Sequence, residues 1–297
     1  MTGEDNMIDL HMHTNYSDGT DTVAQLLQKA EQMHLSHISI TDHNTCKAYQ
    51  ELKDKAVRKE YTGDIIPGVE LNTKVCQIPI EILGYNIDIE TMQSLLEQTY
   101  IPTSERNRLE VKRIYEKCKR EGIVLPEDFV TGYDGTVYAS KYLHNSITQN
   151  ESNKHLISEA SWNNSNVFYR EYLSDPNSKF YVDMEDILPD FEKASSIIKQ
   201  AGGLVFLPHI YEYRKHADTI LQYILEHYAF DGIECYYRNF TTEQTEHLLQ
   251  ICKKRNLYVS GGSDYHGRNK KGVEIGIGEG NLHVPDECIE NWRKISL

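Results

Sequence analysis

Two histidines one residue apart, with an aspartate shortly after, are the first group in this sequence able to do chemistry: His11, His13 and Asp18. Ile8, Leu10 and Met12 alternate with Asp9, His11 and His13. That period of two predicts a short strand with both imidazoles on one side. Neutral imidazole is a good ligand for Zn, Fe or Mn. Asp18 follows on a turn, with Gly19 relaxing the backbone behind it. These residues begin a metal site without completing it. Asp42-His43, Glu70, His209, Asp264 and His266 supply further donors. A lone buried histidine or aspartate more often satisfies backbone groups than binds metal. The whole set, each member beside an apolar run, points to cations. It is too rich for one tetrahedral ion. A carboxylate such as Glu70 or Asp264 can bridge two cations, and two or three ions can activate a shared water and clamp a phosphoryl group. No G-x-S-x-G elbow or Cys–His pair competes as a nucleophile.

Those donors need elements to hold them. After the first strand, Thr20 or Asp21 is expected to cap a helix with Val23, Leu26, Leu27 and Ala30 on its apolar face. Residues 37–40 read as a second strand and residues 48–60 as a charged helical stretch. Residues 65–70 read as a third strand ending on Glu70, and residues 78–85 as a fourth containing Glu81. Ser104 is expected to cap a helix with Val111, Ile114, Tyr115 and Cys118 on one face, stopping at Gly122. Residues 126–181 are polar, without strand–helix alternation, and read as helical with long loops. Residues 104–180 are therefore expected to form an insertion covering the active site of a main domain made of 1–103 and 181–297. Alternation returns at Asp190. A helix ends at Gly202-Gly203, and the apolar run 204–207 leads to His209. Residues 232–235 read as a strand. Thr241 and Gln244 form a capping box, and residues 257–260 precede Asp264 and His266. Repeated strand–helix units predict a parallel sheet, open or closed into a barrel. Barrel active sites lie at the carboxyl ends of the strands, where these donors fall.

Composition narrows the function. The 297 residues fit one large α/β domain, or a domain with an insertion. Acidic residues outnumber basic ones, 45 to 31, for a formal charge of −14. Such a surface repels a nucleic-acid backbone unless metal ions or a local basic patch intervene, so no extended nucleic-acid surface is expected. A small anionic substrate held by metal remains compatible. The six cysteines form no C-x-x-C pair and read as reduced thiols of a cytoplasmic protein. Neither a membrane-spanning run nor a signal pattern is expected.

Taken together, several motifs resemble the PHP (polymerase and histidinol phosphatase) family. They are Asp9-Leu10-His11-Met12-His13-Thr14 with Tyr16-Ser17-Asp18-Gly19, Ile40-Thr41-Asp42-His43-Asn44, Gly68-Val69-Glu70 and Ile82-Leu83-Gly84-Tyr85. Ala201-Gly202-Gly203, Asp231-Gly232-Ile233-Glu234 and Gly261-Gly262-Ser263-Asp264-Tyr265-His266-Gly267 complete the set. The resemblance implies a distorted (β/α)7 barrel with a mostly helical insertion. It also implies a site of two or three divalent ions (Mn, Zn or Fe) that hydrolyses phosphoesters. His11, His13, Asp18, His43, Glu70, His209, Asp264 and His266 fall on the family's ligand positions. Glu81 stands where one branch usually has histidine, and can still ligate a hard cation. The Ser-Asp-Gly turn is closest to the branch acting on nucleoside 3′,5′-bisphosphates and short oligonucleotides.

The expected chemistry is in-line attack on phosphorus by a metal-bridging hydroxide. Asp264, His266 or His43 would manage the proton. The substrate is expected to be a small nucleotide, short oligonucleotide or sugar phosphate. Arg106, Lys141, Arg214 and Arg268 are candidates to hold its non-reacting part, though each reads more readily as a solvated surface cation. Rival readings are a cyclic phosphodiesterase, a histidinol-phosphate-type phosphatase, a metal-barrel hydrolase of C–N bonds, and a metal-binding regulatory protein with a decayed site.

Overall fold

The computed structural model describes residues 7–76, 78–135 and 137–293. The chain divides into two compact units, Met1–Thr99 with Leu188–Leu297, and Tyr100–Ile187.

The first unit is a mixed α/β fold. Its strands are β1 (Ile8–Met12), β2 (His37–Ile40), β3 (Asp64–Ile65), β4 (Gly68–Val75), β5 (Ile78–Tyr85), β6 (Leu204–Leu207), β7 (Gly232–Tyr237) and β8 (Tyr258–Gly262). They form a three-stranded ladder in the order β1-β2-β3 and a five-stranded ladder from β4 to β8 in sequence order. The pairs β1–β2, β2–β3, β6–β7 and β7–β8 are parallel. Those joining β4 to β5 and β5 to β6 are antiparallel. The expected all-parallel sheet is therefore corrected to a mixed one. Its third strand is also divided. Pro67 has no N–H to give a ladder. The chain leaves the first ladder at Ile65 and enters the second at Gly68. Glu70 consequently lies near the start of a long hairpin strand rather than at a strand's end. Isolated parallel bridges at Met12–Tyr265 and His43–Glu70 link edge segments of the two ladders.

The longer helices of this unit are α1 (Val23–Gln32), α2 (Ile89–Thr99), α5 (Phe191–Gln200), α6 (Ala217–His227) and α7 (Thr242–Arg255). The numbers between belong to the second unit, α3 (Thr103–Arg120) and α4 (Ala139–Thr148). Helix faces follow the 3.6-residue period: Val23, Leu26, Leu27 and Ala30 of α1 are all buried. Its cap is Thr22, in a box with Gln25, rather than Thr20 or Asp21. The box expected at Thr241 and Gln244 is present, and Gly202 ends α5 with φ +75°. Pro102, not Ser104, precedes the first turn of α3. The stretch 48–60 is two short helices, Ala48–Glu51 and Lys55–Arg58, divided where Asp54 caps the second.

One core of this unit gathers Ile8 and Leu10 of β1 with Leu83, Tyr85, Phe206, Val284 and Trp292. Tyr85 and Phe206 meet edge to face with ring centroids 5.0 Å apart. Each large apolar side chain here contributes about 1.5–3 kcal/mol through burial. That anchors the strand from which His11 projects. The second unit has its own core around Val111, Ile114, Phe129, Leu143, Phe168 and Phe180. Among the described residues, no helix is long and apolar enough to cross a membrane.

Candidate metal centre

β1 delivers His11, and His13 follows just past its end; both side chains are fully buried. Gly262 of β8 makes this possible, because a Cβ there would sit 2.4 Å from the His11 Cβ. The turn carrying Asp18 is pinned by Asp42. Its carboxylate accepts from the Thr14 N–H at 2.7 Å, the Thr14 hydroxyl at 2.6 Å and the Ser17 hydroxyl at 2.6 Å.

Glu70 is the centre of the arrangement. Its Oε2 lies 3.2 Å from His11 Nε2, 3.2 Å from His13 Nε2 and 3.3 Å from His43 Nδ1. Its Oε1 lies 3.1 Å from His209 Nε2. Asp264 Oδ1 faces the same two nitrogens, at 3.5 Å from His11 Nε2 and 3.4 Å from His13 Nε2. Asp18 Oδ1 is 3.1 Å from His266 Nε2, and its Oδ2 is 3.7 Å from His43 Nε2. Glu81 reaches His209 Nε2 at 3.3 Å and His43 Nδ1 at 3.8 Å. Three overlapping groups could each hold an ion: His11, His13, Glu70 and Asp264; His13, Asp18, His43 and His266; and His43, Glu70 and Glu81.

The outer partners set which ring nitrogen is free. His11 Nδ1 lies 2.9 Å from Glu234 Oε1 on β7. A proton shared there leaves the Nε2 lone pair facing inward. His266 Nδ1 lies 2.9 Å from the Asp264 carbonyl, so its Nε2 is free in the same way. His11 Nε2, His13 Nε2 and His43 Nδ1 are buried and make no hydrogen bond. Nitrogen and carboxylate lone pairs face each other across these gaps, an arrangement that a divalent cation resolves. Imidazole and carboxylate together suit Mn, Zn or Fe. The residues therefore fit the group.

Charge tells the same story. Burial pulls His11 down, but Glu70, Glu234 and Asp264 outweigh it and hold its affinity for a proton well above the usual value. Burial likewise lowers His13, but Asp264 and Glu70 outweigh it and raise it to about 9. His209 rises to about 10 against burial, through Glu70 and Glu81. His266 goes the other way, to about 4, by burial, His13 and Lys270. Against burial, Glu70 is held well below the carboxylate range by His11 and His43, and Asp264 by Lys270 and His11. Without metal the pocket attracts protons, and bound cations satisfy the same field.

Asp264 and His209 also adopt left-handed backbone, with φ of 54° and 50°. Non-glycine residues enter that region at a cost of about 1–2 kcal/mol each. The strain sits on two of the proposed ligands.

Every donor singled out in the sequence lies in this network. Of the other four candidates, Arg106 and Lys141 belong to α3 and α4 of the second unit. Arg214 and Arg268 are exposed in turns after His209 and His266. Neither has a side-chain hydrogen bond or ion pair with the cluster among the described residues. Sequence reasoning gave no role at the cluster to Glu234, Tyr237 or Lys270, although Glu234 closes one of the family motifs. A carboxylate inside the buried run of β7 was a usable signal for Glu234. Asp264 Oδ2 accepts from the Tyr237 hydroxyl at 2.7 Å and pairs with Lys270. Nothing in spacing announces Lys270, which sits in a loop. Removing the imidazole's outer partner by Glu234→Ala should weaken metal binding by about 10–100-fold. Competition against a fluorescent chelator measures this, and Glu234→Gln should restore part of it.

The model of the PHP domain family matches residues 9–259. A 5′-3′ exoribonuclease of Haemophilus influenzae is 26% identical over 96% of this chain and 98% of its own. A 3′,5′-nucleoside bisphosphate phosphatase of Chromobacterium violaceum is 24% identical over 97% and 96%. A crystal structure from Bifidobacterium adolescentis, provisionally described as a metal-dependent phosphoesterase, superposes with a TM-score of 0.70. It covers 98% of both chains at 22% identity.

Proposed function

Because this chain belongs to the PHP domain family, we propose that it is a metal-dependent phosphoesterase acting on small nucleotides, either nucleoside 3′,5′-bisphosphates or short oligonucleotides. One observation carries this reading: the single carboxylate of Glu70 stands within 3.3 Å of four imidazoles from three separate segments. The nucleotide substrate is supported by the two relatives of nearly equal length, one named for a bisphosphate and one for RNA. The two ladders, joined by single bridges, are read as a distorted barrel with the cluster at one rim.

In this reading His11, His13, Asp18, His43, Glu70, Glu81, His209, Asp264 and His266 hold two or three divalent ions. Ions bound there supply Lewis acidity toward phosphoryl oxygens and activate water for attack on phosphorus. Glu70 and Asp264 remain ionised, as ligation requires. Tyr237 and Lys270 engage Oδ2 of Asp264, which leaves Oδ1 for a cation and makes Asp264 a holder of charge rather than a proton acceptor. His266 stays neutral near pH 7, so its Nε2 is a donor of electrons and not of protons. His43 is the most exposed imidazole of the cluster, and as a ligand it gives a lone pair, so the proton is left to pass through solvent water.

The test is release of phosphate or nucleotide by protein reloaded with Mn, Zn or Fe. The panel contains nucleoside bisphosphates, short oligonucleotides, cyclic phosphates and sugar phosphates. Turnover should be highest on the first two and absent in chelator. Turnover only on cyclic or sugar phosphates would replace the nucleotide assignment, and none on any member would remove the hydrolase assignment.

A further inference from the structure

The second compact unit carries a concentration of positive charge that the overall balance conceals. α3 holds seven Lys or Arg against three Glu, in a chain whose formal charge is −14. Val111, Ile114 and Cys118 point into that unit's core. Another face carries Lys112, Arg113, Lys117 and Arg120, and with residues 181–183 it walls a groove of about 540 Å³. Arg113 is committed, donating to both carboxylate oxygens of Asp186 at 2.6 and 2.7 Å and so tying the far wall to the helix. Lys112, Lys117 and Arg120 have no ion-pair partner among the described residues. Glu116 and Asp183 also line the groove and subtract charge, but the lining stays net positive.

We propose that this groove binds a single-stranded oligonucleotide through its phosphates, at an accessory site containing no residue of the metal cluster. Lys112 to Arg120 spans about 12 Å of helix. A stacked strand presents roughly three phosphates over that length. Leu109 and Val182 give the groove apolar surface, and Tyr181 adds an aromatic ring. Base stacking on such a ring tolerates any sequence. The acidic remainder of the chain repels nucleic acid, so away from the metal centre this groove is the place that attracts a strand. The inference rests on the nucleotide reading above for its biological sense, but its evidence and its test are separate.

Metal-loaded protein is titrated into a fluorescently labelled phosphorothioate decamer, which resists hydrolysis, and anisotropy is followed at several salt concentrations. The double variant Lys112→Glu, Lys117→Glu should bind at least tenfold more weakly. Its plot of log affinity against log salt should be shallower by about 1.4, the share of two phosphates. Tyr181→Ala should weaken binding about tenfold. The milder pair Lys117→Gln, Arg120→Gln guards against misfolding and should shift binding in the same direction. All variants should hydrolyse a nucleoside bisphosphate as the parent does. Equal binding by parent and charge variants, no binding by the parent, or equally tight binding of polyglutamate would each overturn the proposal. If no protein hydrolyses any phosphoester, the function assignment fails while the binding comparison still decides the groove.

Discussion

Replacing Glu70 by alanine should reduce turnover of the best phosphoester at least a thousandfold, about 4 kcal/mol of activation free energy. Among the described residues no other side chain approaches as many of the imidazoles; it meets His11, His13, His43 and His209 within 3.3 Å. It belongs to two of the three groups able to hold an ion. Its loss therefore opens more than one ion's shell, and the histidines around it lose the charge that balances them. Metal content by atomic absorption should fall in parallel. Glu70→Gln should behave nearly as badly, since an amide keeps the shape but not the charge. A Glu70→Ala protein that keeps its full metal and stays within tenfold of the parent would disprove the central role given to this carboxylate.

The second large effect is on folding, and it depends on pH. In metal-free protein His13 and His209 hold protons up to about 9 and about 10, against 6.5 when unfolded. His11 is raised as well. Groups raised in the folded state contribute stability that is complete below 6.5 and is lost as pH climbs through their folded values. His266, lowered to about 4, works oppositely, and its contribution fades as pH falls from 6.5 toward 4. The depressed carboxylates Glu70 and Asp264 add to that acid-side loss, as pH drops below their usual range. Metal-free protein should accordingly be most stable near pH 6.5 and weaken on both sides. Divalent cations replace the protons, so the stabilisation by added Mn or Zn should grow from pH 6.5 to pH 10. Ion at a hundred times its dissociation constant adds about 2.7 kcal/mol. Urea denaturation at these two pH values, with and without metal, measures the difference. A metal-free protein that gains stability between them would contradict the charge balance drawn for the pocket.

Both predictions start from residues visible in one dimension, yet neither could be made there. The alternation around His11 placed two imidazoles on one side of a strand. The helical period likewise marked Val23, Leu26, Leu27 and Ala30 as one buried face. The path of the chain after residue 64 was misread, because an apolar run does not reveal which ladder it joins. Pro67 was the clue, since a residue without an N–H interrupts a ladder. The strand that begins after that break pairs antiparallel with β5. Arg106, Lys141, Arg214 and Arg268 were candidates by charge alone, and charge without position names no partner.

What the sequence determined by itself was chemistry of type and local form: a surplus of imidazoles and carboxylates, the strand that carries His11, and the buried faces of the helices. Such features depend on neighbours a few residues away, whose geometry the backbone fixes. The tertiary structure alone decided that Glu234 lies 2.9 Å from His11 across 223 residues of chain, which imidazole nitrogens face the centre, and that Lys270 meets Asp264. Those facts rest on distance through space, and electrostatic interaction follows distance rather than order along the chain.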